Sequence, residues 1–332
     1  MNAMLLRTPR RVDESPLEAV ALPAPEPASD EILVRVRACG VCHTDLHTVE
    51  GEIAGKLPVV PGHQIVGVVE KVGSAVREYR DGDRVGVPWL HRSCGDCEFC
   101  RSGRENLCEQ AQFTGFHVNG GYAEYAVAPA AFAVRIPDNF DDAHAAPLLC
   151  AGIVGYRALR LSSIRPKQKL GLYGFGASAH IVLQIAVHWG CEVFVATRNA
   201  EHQRLASELG ASWVGRAEDV PNATLHAAAI FAPAGTLVPE ALRASRKGGT
   251  LVLAGIYMTP IPELKYELLY HERMVRSVAN ATREDARQLM QLAGEIPIRT
   301  EVQTFPLRDA NRALLALKRS EIRGAAVLMI GG

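Results

Sequence analysis

The stretch KLGLYGFGASAHIVLQIAVHWG, residues 169–190, decides the fold. LGLY is a short apolar run suited to a buried strand, GFGASA is a glycine-rich turn, and HIVLQIAVHW, stopped by Gly190, has helical length. In Gly174-Phe175-Gly176-Ala177-Ser178-Ala179 the first glycine makes the tight turn. The second lets the backbone approach a pyrophosphate, and small Ala179 permits close helix–strand packing. A strand before and a helix after are the context that makes this fingerprint a dinucleotide site. Downstream come CEVFVAT (191–197), a helix through RLASEL ended by Gly210, and apolar runs at 226–232 and at 250–254, after Gly248-Gly249. Strands alternating with helices predict an α/β fold with a doubly wound parallel sheet.

The end of the second strand bears on the cofactor. A carboxylate there would accept from the adenosine ribose of NAD, but this chain reads Ala196-Thr197-Arg198-Asn199, with His202 and Arg204 just beyond. A hydroxyl and a guanidinium suit a 2′-phosphate, so NADP(H) is preferred, with NAD(H) as the alternative.

Outward from this unit the pattern changes. Residues 31–38 (EILVRVRA) alternate as a half-buried strand, and β-prone runs recur at 65–72, 84–87 and 122–127 among glycines and prolines. The tail has a strand from about residue 302, an amphipathic helix (309–320) and a last strand (325–330). An irregular β-rich domain is expected over the first ~150 residues.

Composition excludes several classes. With 36 basic against 36 acidic residues in 332, there is no cationic excess for duplex nucleic acid. No apolar run approaches the ~18 residues of a membrane span. MNAMLLRTPRRVD has too short an apolar stretch for a signal peptide, so a cytoplasmic location is expected. Eight cysteines in a cytosolic chain then point to metal.

Cys94, Cys97, Cys100 and Cys108 are spaced C-x2-C-x2-C-x7-C, close enough to converge on one structural zinc. An iron–sulfur cluster of ferredoxin type would continue x3-C-P, whereas seven residues intervene here and Glu109 follows. A second set is scattered: Cys39, Cys42, His43, Asp45 and His47 within nine residues, then His63 and Cys150. A catalytic zinc wants three protein ligands and one open position, and spacing does not choose among Cys39, Cys42, His43 and His47.

Taken together, GVCHTDLH (40–47), PGH (61–63), GDRV (82–85), the four-cysteine segment, GGYAEY (120–125), CAG (150–152), GFGASA (174–179) and KGGTLVLAG (247–255) resemble the zinc-dependent alcohol dehydrogenases of the medium-chain dehydrogenase/reductase superfamily. The resemblance runs from about residue 30 to the C-terminus. It implies a discontinuous GroES-like catalytic domain (1–151 and 280–332, with the structural zinc lobe at 94–108) and a Rossmann domain (152–279). It makes Cys42, His63 and Cys150 the catalytic zinc ligands and drops Cys39. It implies that Thr44 and His47 relay a proton, that Asp45 is a carboxylate near the zinc, and that His43 and Arg323 reach the cofactor pyrophosphate. Gly255 joins Gly174, Gly176, Ala179, Thr197, Arg198 and His202 as cofactor-binding positions. Gln64 stands where the family usually has Glu, and Val154 where it has Thr. The loop TVEGEIAG after His47 lacks an aromatic residue found in many relatives, while Trp89, Phe113 and Phe116 are candidates for an apolar substrate pocket.

The implied activity is hydride transfer between a primary alcohol, or its aldehyde, and a nicotinamide cofactor, with two zinc ions per chain. A homo-oligomer, dimer or tetramer, is expected through the cofactor domain. The competing readings are a zinc-free quinone or enoyl reductase, which leaves both cysteine sets unexplained, and a non-catalytic nucleotide-binding protein on the same fold.

Overall fold

Apolar strands that read as continuous runs are buried on both faces, and Lys169–Tyr173, Glu192–Ala196 and Leu225–Ile230 show this directly. The computed structural model describes residues 1–331. They separate into two units: Met1–Cys150 joined by the segment from Asn280 onward, and Ala151–Ala279.

The second unit is built on a six-stranded, wholly parallel sheet. Its order is Trp213–Gly215, Glu192–Ala196, Lys169–Tyr173, Leu225–Ile230, Ser245–Leu253, Met274–Ser277. The first strand in sequence is central and the order runs outward on either side, which places a topological switch point at its C-terminal end. Leu170, Leu172, Val193, Val195, Ala227 and Ile230 are fully buried in this sheet. The helix after the glycine turn spans Ala177–His188, beginning three residues before the expected HIVLQ run, because Gly176 serves as its N-cap and Ala177-Ser178-Ala179 are already helical. Gly248-Gly249 lie inside the fifth strand, not ahead of it. There Leu225 pairs Ser245 while Ala227 pairs Thr250, so a bulge at Gly248 (φ +69) absorbs the surplus residues.

The first unit holds a seven-stranded sheet ordered Val302–Pro306, Ala325–Met329, Glu31–Val41, Ile65–Val72, Arg84–Val87, Val134–Arg135, with Tyr125–Pro129 also paired to Glu31–Val41. The tail strand closes this sheet by pairing Leu328 with Cys39 and Ala326 with Val41. That pairing extends the strand three residues beyond the alternating run 31–38 and locks Cys39 into it. Of the run expected as strand at 122–127, regular strand begins at Tyr125; Ala123 makes only an isolated bridge with Ala3, and the segment just before it braces a loop. Gly120, Gly121 and Tyr122 donate their backbone N–H groups to Val60, Gly62 and Pro61 at 2.7, 2.8 and 2.9 Å. The segment after His47 begins as helix, not loop: the helix His43–Glu50 closes on Gly51 in the left-handed region (φ +77). No helix among the described residues is long and apolar enough to cross a membrane.

Candidate metal centres and dinucleotide turn

The strand Glu31–Val41 delivers Cys42 to the N-cap of the helix His43–Glu50. Its first turn is fixed by Asp45, whose Oδ2 accepts the Cys42 backbone N–H at 2.9 Å. The other carboxylate oxygen, Oδ1, accepts from the Gly62 N–H at 3.1 Å and pairs with His63 Nδ1 at 3.0 Å. One carboxylate, 1% exposed, therefore ties the helix start to the loop carrying His63. With Asp45 holding the Nδ1 proton, Nε2 is the nitrogen left to present a lone pair to a metal ion. That Nε2 is buried without a hydrogen-bond partner. The sulfurs of Cys42 and Cys150 lie 3.9 Å apart, and the ligand atoms of Cys42, His63 and Cys150 are all within 4.8 Å of one another.

The electrostatics fit a cation. The hydrogen bond from Cys150 holds the Cys42 thiol well below its ordinary range, against burial and with help from His63. Cys150, sharing that proton and buried, is pushed well above. Burial opposes a charged His63, yet the adjacent Asp45 carboxylate lifts it to about 10. Two thiols and an orphaned imidazole nitrogen that converge in a buried site are the donor set a zinc ion takes with a fourth position left open. Cys39 stands outside the cluster: it is buried, with its thiol 3.7 Å from the Gly40 carbonyl oxygen. Gln64 is buried with its side chain folded over Gly40, where an added Cβ would come within 2.8 Å of Gln64 Cδ.

Around the cluster, Thr44 is buried with its hydroxyl 3.8 Å from Cys42 Sγ. His43 is exposed, and His47, one turn on, meets the Glu52 carboxylate through Nδ1. Glu52 escaped the sequence reading, although a glycine C-cap directly after the helix is a signal that the next residue turns back on it. Trp89 sets its edge on His63 (centroids 4.7 Å apart, 71°) and stacks on Phe113 (5.0 Å, 13°), with Phe116 at 5.5 Å. The three candidate pocket aromatics thus form one set beside His63, joined by the unanticipated His117, 4.6 Å from Phe116. Arg323 is exposed in the tail.

Cys94, Cys97, Cys100 and Cys108 converge equally well. Their sulfurs lie within 4.8 Å of one another, with Cys97–Cys100 at 3.6 Å and Cys94–Cys100 at 3.8 Å. The backbone N–H groups of Cys94 and Cys97 point at the sulfurs of Cys108 and Cys94, at 3.5 and 3.4 Å, as they would toward thiolates. Little apolar core supports this loop. Buried Glu105 anchors it instead, accepting from the backbone and side chain of Arg283 at 3.0 and 3.3 Å.

In the other unit, Gly174 has φ +85, and a Cβ there would lie 2.7 Å from that of Ala232. Gly176, by contrast, faces open space, so backbone at the helix N-terminus is approachable by an anion. Ala179 is fully buried. At the end of the second strand Thr197 is largely buried and Arg198 exposed, while Asn199 caps the helix Ala200–Glu208 by accepting from Glu201 and His202 N–H groups at 2.8 and 3.2 Å. His202 lies 6.4 Å edge-on from Phe175 of the glycine turn. Gly255 follows the fifth strand with room for a Cβ, 3.4 Å from its nearest neighbour. Val154 lies half-buried on the helix Ala151–Ser162.

Comparison with known proteins matches residues 28–138 to the alcohol dehydrogenase GroES-like domain and residues 179–295 to the zinc-binding dehydrogenase domain. A Mycobacterium tuberculosis protein described as a probable alcohol dehydrogenase, AdhA, is 48% identical over 99% of this chain and 97% of its own. A cinnamyl alcohol dehydrogenase from Sorghum bicolor superposes with TM-score 0.91 at 28% identity, covering 99% of this chain and 97% of that one. A cobalt- and zinc-bound thermostable alcohol dehydrogenase from Pyrobaculum aerophilum does so with TM-score 0.89 at 27% identity and 99% coverage of both. The chain belongs to the zinc-binding alcohol dehydrogenases of the medium-chain dehydrogenase/reductase superfamily.

Proposed function

We propose that this oxidoreductase interconverts a primary alcohol and its aldehyde with NADP(H), binding two zinc ions per chain. In this reading Cys42, His63 and Cys150 hold the catalytic zinc, and Cys94, Cys97, Cys100 and Cys108 the structural one. The observation that carries it is the buried, unpartnered Nε2 of His63 beside two thiols, in a chain whose other unit has a dinucleotide turn. When bound, zinc supplies Lewis acidity at the substrate oxygen and the nicotinamide supplies the hydride acceptor.

The chain's own residues supply the rest. Asp45 holds the His63 proton on Nδ1, so Nε2 is the nitrogen whose lone pair would face an ion held with the two cysteines. Thr44 takes the alcohol proton at its hydroxyl as it hands its own on toward His47, which releases it to solvent. Trp89, Phe113 and Phe116 pack against the substrate and exclude water. Gly174, Gly176 and Ala179 shape the backbone for a pyrophosphate, with His43, Gly255 and Arg323 as further cofactor contacts. Thr197, Arg198 and His202 receive the 2′-phosphate. Arg198 is exposed and has no carboxylate partner among the described residues, as a phosphate-binding guanidinium should.

The chain is further proposed to assemble as a homo-oligomer through this unit. Its edge strand Met274–Ser277 is exposed at every residue, and Tyr266 and Tyr270 stand exposed nearby in sequence. One experiment tests the central reading: metal analysis followed by a panel of alcohols and aldehydes with both cofactors. Two zinc ions and NADP-linked turnover of primary alcohols are expected. One zinc, with reduction of quinones or enones instead, would overturn it in favour of the zinc-free reductase.

A further inference from the structure

The helix His43–Glu50 ends on a turn that does more than stop it. Gly51 adopts φ +77, and the Glu52 backbone N–H reaches back to the His47 carbonyl at 2.9 Å. This reversal carries the Glu52 carboxylate onto Nδ1 of the His47 ring. A side chain at Gly51 would be strained by its φ and would meet Pro9 Cβ at 2.9 Å, so the turn that aims Glu52 depends on glycine. The other charged groups on and around this helix are engaged elsewhere. Asp45 faces His63, and Glu50 is held by Lys318 of the helix Ala310–Lys318 at 2.6 and 2.9 Å and by the Val12 N–H at 2.9 Å. Asp13, on the adjoining turn Val12–Glu14, is paired with Arg11, and His43 lies 6.4 Å from His47 ring to ring.

A neutral imidazole that donates from Nδ1 to a carboxylate carries its lone pair on Nε2, because the hydrogen bond at one nitrogen sets the tautomer at the other. We propose that Glu52 is the positioning residue of the proton relay: by holding the Nδ1 proton of His47 it keeps Nε2 the accepting atom and balances the imidazolium that forms. This rests on the relay role of His47 proposed above. During alcohol oxidation a proton arrives at Nε2, forming an N–H bond as the O–H bond of the donor breaks. The Nδ1 proton stays on the ring facing Glu52, and the Nε2 proton then leaves to water. No electrons change hands in this step.

The test uses the full-length, zinc-loaded protein labelled with 15N-histidine, with the signal of His47 identified by its loss in His47→Gln. In the parent, His47 is expected as the Nδ1–H tautomer. In Glu52→Ala it should move toward Nε2–H, and in Glu52→Gln, which keeps an acceptor oxygen, it should stay. Kinetically, Glu52→Ala should slow alcohol oxidation about tenfold near neutral pH, the lower end of what an orienting carboxylate contributes. The deficit should shrink at alkaline pH, where hydroxide replaces the relay, and Glu52→Asp should recover part of it. The double variant with His47→Gln should be no slower than His47→Gln alone. An unchanged His47 tautomer in Glu52→Ala, or a loss that does not vary with pH, would overturn the proposal. Parent-like rates in His47→Gln would instead overturn the relay reading, whatever the tautomer showed.

Discussion

Replacing Asp45 by asparagine isolates what one buried carboxylate does for the metal centre. Asparagine matches its shape but offers one acceptor oxygen where aspartate offers two. With the oxygen kept at the Oδ1 position, the bonds to Gly62 N–H and His63 Nδ1 survive at 3.1 and 3.0 Å, but the amide NH2 then confronts the Cys42 N–H that Oδ2 had accepted at 2.9 Å. That forfeits a helix cap worth about 1 kcal/mol and leaves a buried donor unpaired, a further 1–3 kcal/mol or so. With the amide flipped, its NH2 faces Nδ1 instead and drives the His63 proton onto Nε2, the atom that must carry the lone pair. The first arrangement costs the metal-free protein about 2–4 kcal/mol from these terms, and the second keeps the cap but leaves the Gly62 N–H unpaired, about 1–3 kcal/mol, so a loss of about 1–4 kcal/mol is expected. Zinc affinity should also fall about 10- to 100-fold, since the imidazole loses its charged partner. Urea unfolding of the stripped protein measures the first and competition with a chromophoric chelator the second. An asparagine variant that held zinc as tightly as the parent would refute the assignment of Asp45 as the group that orients His63.

The other expectations are read by separate assays. Cys42→Ser and Cys108→Ser should each lower zinc from two per chain to one. Cys42→Ser should abolish turnover, whereas Cys108→Ser should chiefly lower thermal stability, because the loop it serves has little core; equal zinc loss from both sites in either variant would contradict two independent centres. Arg198→Asp should raise the KM for NADPH by about tenfold or more, as expected when a charge-assisted phosphate contact becomes a repulsion, and a parent-like NADPH preference would remove Arg198 from the cofactor site. His91, 5% exposed in the strand Leu90–Arg92, is depressed by burial from 6.5 to about 4. It stays neutral in the fold while the unfolded chain takes up a proton below 6.5, so stability is lost as pH falls through that window, by up to about 3 kcal/mol at 1.36 per unit. Urea midpoints between those limits should fall less steeply in His91→Gln, and identical slopes would show that His91 does not contribute.

Much of this molecule could be read without coordinates because its chemistry lies in short segments. A tight turn before a helix needs glycine at positions set by backbone geometry, so GFGASA announces itself along with the parallel sheet around it. The four cysteines at 94–108 likewise sit close enough in sequence that spacing alone suggests a shared ion. Less legible were features that depend on a distant partner. The strand Glu31–Val41 outruns its alternating pattern because the tail strand Ala325–Met329 pairs with residues 38–41, and nothing local to Cys39 signals this. Tyr122, where β-propensity suggested that a strand begins, braces the loop at 60–62 together with Gly120 and Gly121, and regular strand starts only at Tyr125.

The sequence alone determined the fold class, the glycine turn and the pool of metal-binding side chains, since backbone conformational limits and hydrophobic periodicity act over a few residues. Only the tertiary structure decided which side chains meet. Cys39 and Cys42 are three residues apart, yet one is enclosed in a strand and the other caps a helix within reach of His63 and Cys150. Asp45 links two segments 18 residues apart, and Glu52 turns onto His47 through a left-handed glycine. Ligand geometry and tautomer depend on directions in space, which spacing along a chain does not specify.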